Sequence, residues 1–221
     1  MLRTKIITAT VAGLLLVGAA VTDTALASKG ELVNSKGTAL IKNKFTATIG
    51  ETVVETTGGR SVKCKSGTAG GVETSATEGE QTITLKECKS NVESASCNSP
   101  GQSAGVIELK EVKLSTLPAK FPGDMPLTYI LRASAAECAG VKGQIKGSYL
   151  SPVPSEGKLS TTYTFVSKQT KGIQEPAEYE NSKGEKEKFS FEAELGGSEK
   201  FEKAGVGGTE EFTFEESAEF V

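Results

Sequence analysis

The chain has no histidine and no tryptophan, and its only aspartates are Asp23 and Asp124. Without histidine it lacks the side chain that titrates between about pH 5 and 8, and the commonest metal ligand. A Ser-His-Asp or Cys-His nucleophile is therefore excluded. Calcium loops draw on several Asp and Asn residues at close spacing, and the single aspartate beyond residue 27 does not build one. No glycine-rich loop runs into a helical pattern. "TAGG" and "GVGG" read as turns or strand bends. The lack of tryptophan weakens a sugar-binding surface, although Tyr129, Tyr149, Tyr163 and Tyr179 remain to stack on a ring. Arginine is also scarce. Past residue 27 only Arg60 and Arg132 occur, and the lysines alternate with Glu, which is poor material for a nucleic-acid groove. These absences point away from a cofactor, a bound metal and nucleic acid.

What is present begins with an export signal. "MLRTKIITATVAGLLLVGAAVTDTALASKG" opens with Arg3 and Lys5, continues through an apolar run from Ile6 to Val21, and reaches Ala25-Leu26-Ala27. This is the layout of a secretory signal peptide, helical in its apolar part, with cleavage expected between Ala27 and Ser28. The run is shorter than the ~20 residues that span a bilayer, and no second apolar segment follows, so no membrane span is expected in the mature chain. Removing residues 1–27 from the 221 leaves 194. That is enough to bury a sizeable core, and residues 28–221 are expected to form a single β-rich domain.

The remaining patterns are almost all of period two, the signature of half-buried strands. "RSVKCK" puts Val62 and Cys64 on one face, and "QTITLKEC" pairs Ile83 with Leu85. "VKGQIKGSY" aligns Val141, Ile145 and Tyr149, with Gly143 and Gly147 between them. "LSTTYTFV" aligns Leu159, Tyr163 and Phe165. "KFSFEAEL" aligns Phe189, Phe191, Ala193 and Leu195, and "EEFTFEE" aligns Phe212 and Phe214. In "VIELKEVKLSTL" the phase slips between Leu109 and Val112, so a bulge or tight turn is expected at Lys110-Glu111. "PLTYILRA", Pro126 to Ala133, reads as a central strand, and "SEKFEKAG", Ser198 to Gly205, as a weak helix. Ten or more short strands with turn residues between them predict an all-β fold, an antiparallel sandwich or barrel-like domain.

Charge is uneven along the chain. The segment 175–221 holds fourteen Glu and five Lys, while the part before it is net positive. Phenylalanines at strand spacing place this acidic segment in the fold, not in a loose tail. Most of the Glu alternate with apolar residues, as a solvated strand face does. No carboxylate pair for glycoside hydrolysis can be picked out from so many.

All four cysteines, Cys64, Cys88, Cys97 and Cys138, lie in the exported part. An even count in an oxidising compartment argues for two disulfides. The eight-residue gap between Cys88 and Cys97 lacks zinc-site spacing, and no imidazole is available to activate a thiol. The expected pairing is Cys88–Cys97, closing the serine-rich turn, with Cys64–Cys138 tying distant strands. A faint echo between "VKCKSGTAGGVE" and "AECAGVKGQIKGSY" supports the long bond. The other reading pairs Cys64 with Cys88 as hairpin neighbours and leaves Cys97 to Cys138.

Several longer segments carry a resemblance. "NKFTATIGETVVETTGGRSVKCKSGTAGGVET", "ITLKECKSNVESASCNSPGQSAGVIE", "KGQIKGSYLSPV", "EYEN" and "FTFEESAEF" resemble a large family of secreted, cysteine-paired, β-rich proteins from deep-branching soil actinobacteria. The resemblance implies secretion and a β-rich fold, and it implies no substrate. The reading that follows is a secreted, non-catalytic β-protein that binds an extracellular ligand or serves at the cell-envelope surface. Two alternatives stand beside it: a small-ligand carrier with an interior cavity, and a hydrolase built on Glu or a Ser-Lys pair.

Overall fold

The structure is a computed structural model that describes residues 30–92, 94–117, 126–138, 140–154, 157–181, 183–195 and 200–221, with the backbone alone for 126–134 and 136. The signal segment, with its Ala27–Ser28 cleavage point, lies outside the described residues.

Strict alternation along the chain builds one curved wall. Strand β1 is Leu32–Val33 and β2 is Lys44–Thr56. In β2, Phe45, Ala47 and Ile49 point inward, while Lys44, Thr46 and Thr48 point to solvent. Strands β3 (Ser61–Cys64) and β4 (Ser66–Glu73) lie along the same edge of β2 in one continuous register, with Thr52 opposite Cys64 and Ile49 opposite Gly67. They act as one strand interrupted at Lys65. Strands β5 (Glu78–Lys86) and β6 (Lys89–Ser90) repeat this against β4 and β3, with Ser66 opposite Lys86 and Val62 opposite Ser90.

Strands β7 (Cys97–Asn98) and β8 (Ile107–Thr116) form the next interrupted strand. Strand β8 pairs with β5, and β7 meets β6 through the bridge of Lys89 with Ser96. Both pair with β9 (Pro126–Cys138). The excursion between β7 and β8 is tied at its base: Ser99 donates its N–H to the Val106 carbonyl (2.9 Å) and accepts the Glu108 N–H on its hydroxyl (2.9 Å).

The circuit continues through β10 (Val141–Pro152), β15 (Phe191–Glu194) and β16 (Glu202–Phe220), and β16 returns to β2. The result is an all-β, nearly closed barrel-like sheet. Its thinnest seam is β15–β16, joined among the described residues at Glu192–Lys203 and Ala193–Glu202. Strand β11 (Ser160–Thr170) pairs with the next stretch of β16, and β12 (Ile173–Glu175) flanks β11. A separate hairpin of β13 (Glu178–Glu180) and β14 (Lys186–Lys188) stands outside the ring.

Several sequence expectations meet the structure here. The phase slip in β8 is a bulge: Gln81 faces Val112 and Ile83 faces Leu109, so Lys110 and Glu111 together oppose one residue, and Glu111 has φ 52°. Strand β9 is internal, flanked by β8 and β10. The acidic segment is integral, since β16 pairs with β1, β2, β11 and β15. The helix expected at residues 198–205 is corrected over 202–205, while 198 and 199 lie outside the described residues. Residues 202–205 belong to β16, because Ala204 and Gly205 pair with Thr56 and Glu55; sheet pairing overrides a weak local preference. Of the turns or strand bends expected at "TAGG" and "GVGG", both lie within strands, β4 and β16, and a register shift follows Gly208. Gly71 makes room for an aromatic ring, since a Cβ there would sit 2.4 Å from Phe45 Cζ.

The barrel interior is divided. One half is filled by Phe45, Tyr163, Phe165, Phe212, Phe214 and Phe220. Their rings meet at 5.0 Å (Phe45–Phe212), 5.0 Å (Phe165–Phe212) and 4.9 Å (Tyr163–Phe220). Pairing of Leu32 with Phe220 covers that end. The other half is lined by aliphatic side chains. No helix among the described residues is long and apolar enough to cross a membrane. Outward positions such as Lys44, Thr46, Thr68, Glu80 and Thr82 are polar and exposed, unlike the apolar band of a lipid-facing barrel.

Candidate ligand-binding sites

The aliphatic half of the barrel encloses a cavity of about 60 Å³ among Val54, Val62, Ile83, Leu109, Ile145 and Val206. Thr52 and Gln144 border it, and so do Tyr149 on β10 and Glu210 on β16. Glu210 sits on the same strand phase as Phe212 and Phe214, so its carboxylate points where the pattern places apolar side chains. Burial pushes the Tyr149 phenol well above its ordinary value, and the Glu210 charge adds to the rise. Tyr149 is therefore a protonated donor, and its ring meets Phe191 edge-on at 5.7 Å.

Glu73 is the second acid on an inward phase. It is 8 % exposed, and it borders a small pocket with Leu32, Thr77, Leu114 and four phenylalanines. Burial raises its carboxyl to about 8. Among the described residues no second acid lines that pocket, so they assemble no glycosidase-type carboxylate pair around Glu73. Gln81, also inward, is 2 % exposed and finds no hydrogen-bond partner for either amide atom. The signal that marks Glu73, Gln81 and Glu210 was present in the sequence: each is a polar residue on the apolar phase of a strand.

A larger concavity lies outside the wall. Leu150, Tyr179, Leu117 and Phe189 form a small second core that holds the β13–β14 hairpin against the outer face of β10. The Tyr179 and Phe189 rings lie 5.3 Å apart, and the Tyr179 hydroxyl donates to Glu187 (2.7 Å). Phe189 therefore belongs to this outer cluster, not to the barrel core that "KFSFEAEL" implied. Between the hairpin, β12 and β16 runs a groove of about 520 Å³. Ile173, Ala177, Phe189, Phe191 and Ala204 supply its apolar surface, and Lys188 and Lys203 stand along it.

Local chemistry keeps the groove rigid. Buried Gln174 donates to the Lys168 carbonyl (2.8 Å) and accepts the Val206 N–H (2.8 Å), which latches β12 onto the barrel. Gly172, at φ +75°, allows the β11–β12 turn to press on the β2 backbone, where a Cβ would lie 2.3 Å from the Thr56 carbonyl carbon. Glu178 is paired with Lys186 (2.9 Å). Among the described residues, Lys188 and Lys203 make no ion pair. The groove thus sets two lysines beside an apolar floor, and Glu178, opposite Lys188 in the hairpin register, also lines it.

The cysteines form two disulfides, Cys64–Cys88 and Cys97–Cys138, and this corrects the pairing expected from the sequence. Cys88 lies opposite Cys64 in the register that joins β3 to β6, and Cys97 lies opposite Cys138 across β7 and β9. Cys64 and Cys138 are three strand steps apart, on the order of 12 Å around the curved wall at ~4.8 Å per step. That exceeds the ~7 Å reach of a disulfide. Among the described residues no group of three or more His, Cys, Asp or Glu side chains is placed to hold a metal ion.

The pairing sets an expected result. The sequence separations are 24 and 41 residues, and the chain-entropy relation gives ~3.4 and ~3.9 kcal/mol for loops of those lengths. Cys64→Ala and Cys97→Ala should therefore lower the melting temperature by similar amounts in differential scanning calorimetry. A loss several-fold larger for Cys64→Ala would contradict this pairing.

Fold and geometry define the class: a disulfide-bonded, barrel-like antiparallel β-protein with a lateral groove. No protein-family model matches the chain, and no curated protein or solved structure matches it.

Proposed function

We propose that this is a secreted, non-catalytic binding protein whose lateral groove takes an anionic amphiphile, an apolar chain or ring bearing one acidic group. The observation that carries the reading is the groove itself: about 520 Å³, apolar along Ile173, Ala177 and Phe189, with Lys188 and Lys203 beside it. That volume lies within the ~300–1,000 Å³ of sites for drug-sized ligands. The interior cavity, at about 60 Å³, has room for a few waters or a small group, which favours the groove over a carrier built on the barrel interior. Two disulfides and the amino-terminal export pattern support an extracellular location, because such bonds persist in oxidising compartments.

Isothermal titration with dodecanoate tests the reading. Binding is expected, and Lys188→Glu combined with Lys203→Glu should weaken it about tenfold or more, equivalent to ~1.4 kcal/mol or above. Tyr149→Phe, inside the barrel, should leave the affinity unchanged. Absence of binding, or a loss caused by Tyr149→Phe and not by the lysine reversals, would refute the groove as the site.

A further inference from the structure

The two disulfides are not independent in space. Cys64 in β3, Cys88 just before β6, Cys97 in β7 and Cys138 in β9 occupy successive positions in one row. Cys64 faces Cys88, and Cys97 faces Cys138, and each pair is covalently joined. The middle two also face each other: Cys97 donates its N–H to the Cys88 carbonyl (2.9 Å), and the next rung is the bridge of Lys89 with Ser96. That single bond joins the two, since the Cys88 N–H goes to the Gly105 carbonyl (2.9 Å); opposed residues of antiparallel strands have Cα atoms about 4.5–5.5 Å apart, inside the 4.4–6.8 Å range that a disulfide accepts. Side chains directly opposite in a sheet share a face, so all four sulfurs lie on the inner side. Three of the four are sealed there, with Cys64, Cys88 and Cys97 at 2 % exposure or less. Cys138, at the end of the row, is only partly buried and packs at the core's margin.

We infer that this row is a thiol–disulfide exchange site for an external dithiol, attacked at Cys138 and resolved as a new Cys88–Cys97 bond. The attacking thiolate forms a bond to Cys138 Sγ and breaks the Cys97–Cys138 bond, leaving Cys97 as thiolate. The second thiol of the reagent displaces Cys138, which leaves as a thiol, and the reagent departs as its own disulfide. Cys97 Sγ then attacks Cys88 Sγ on the adjacent rung, and Cys64 leaves as thiolate and takes a proton. In sum, the dithiol is oxidised by two electrons, Cys64 and Cys138 end as thiols, and one disulfide remains. Exchange requires a thiolate, an accessible sulfur and a leaving thiolate, and each step has its participants in neighbouring positions. The crosslink moves from the two wall seams, β3–β6 and β7–β9, to the local β6–β7 hairpin. Cys64 lines the interior cavity, so the exchange loosens the wall beside that cavity. This inference is independent of the groove and its ligand.

Trapping decides it. The native protein is treated with a limiting amount of dithiothreitol, quenched with acid, alkylated with N-ethylmaleimide and mapped without reduction. The first doubly alkylated species should carry its labels on Cys64 and Cys138, with Cys88 and Cys97 joined. Labels on Cys97 and Cys138 with Cys64–Cys88 intact, or on Cys64 and Cys88, would overturn the proposal. A second measurement uses Cys138→Ser, which leaves one thiol. That thiol should be found on both Cys64 and Cys97 in the folded protein, and a label confined to Cys97 would equally overturn it.

Discussion

Glu73→Gln is expected to stabilise the protein at pH 8 and above while changing little near pH 4.5. In the folded protein the Glu73 carboxyl titrates at about 8, because burial among Leu32, Leu114 and the phenylalanines disfavours its charged form; its ordinary value is 4.5. Between those two pH values the folded state holds a proton that the unfolded chain has released. Stability therefore falls as pH rises from 4.5, and it levels off once pH has passed about 8. At 1.36 kcal/mol per unit, the full loss is on the order of 5 kcal/mol. For a domain of this size each kcal/mol moves the melting temperature by ~2–4 °C. A glutamine of the same shape carries no titrating proton, so the variant's melting temperature should stay level across this window. Parallel melting curves for the two proteins between pH 4.5 and 9 would show that Glu73 does not carry this penalty.

Phe212→Ala is the second large effect. Phe212 is 1 % exposed and its ring lies 5.0 Å from both Phe45 and Phe165. It stands on β16 where that strand faces β2 on one edge and β11 on the other, with Ala47 and Tyr163 as its register partners. Truncating a packed phenylalanine costs roughly 3–5 kcal/mol, through lost transfer energy and the cavity left behind. A fall of about 6–20 °C in melting temperature follows. Leu159→Ala is the control, because Leu159 is 41 % exposed and little should change. Near-normal melting of Phe212→Ala would mean that the acidic carboxyl-terminal segment is not part of the packed barrel.

Of the site, less was legible than of the fold. Glu73 and Glu210 sit on apolar phases, and a strict reading of alternation would have singled them out from the many solvated Glu. The groove had no such mark. Ile173 and Phe189 are separated by the whole β13–β14 hairpin, and no periodicity connects them with Lys203 on β16. Leu159 and Val141 show the converse error: each keeps phase with buried neighbours but lies near the end of its strand, where both are 41 % exposed.

The amino-acid sequence alone determined the inward apolar side chains of strands such as β3, β5 and β8, the slip at Lys110-Glu111, and the chemistries that an absence of histidine removes. These are local properties, written in a two-residue period that holds wherever a strand runs without a bulge. The tertiary structure alone decided that the wall curves back from β16 to β2, that Cys64 meets Cys88 and Cys97 meets Cys138, and that a hairpin packed on Leu150 leaves a groove. Each of those depends on register between segments far apart in the chain. Register is set by backbone hydrogen bonds summed over whole strands, and a single segment of sequence does not encode that sum.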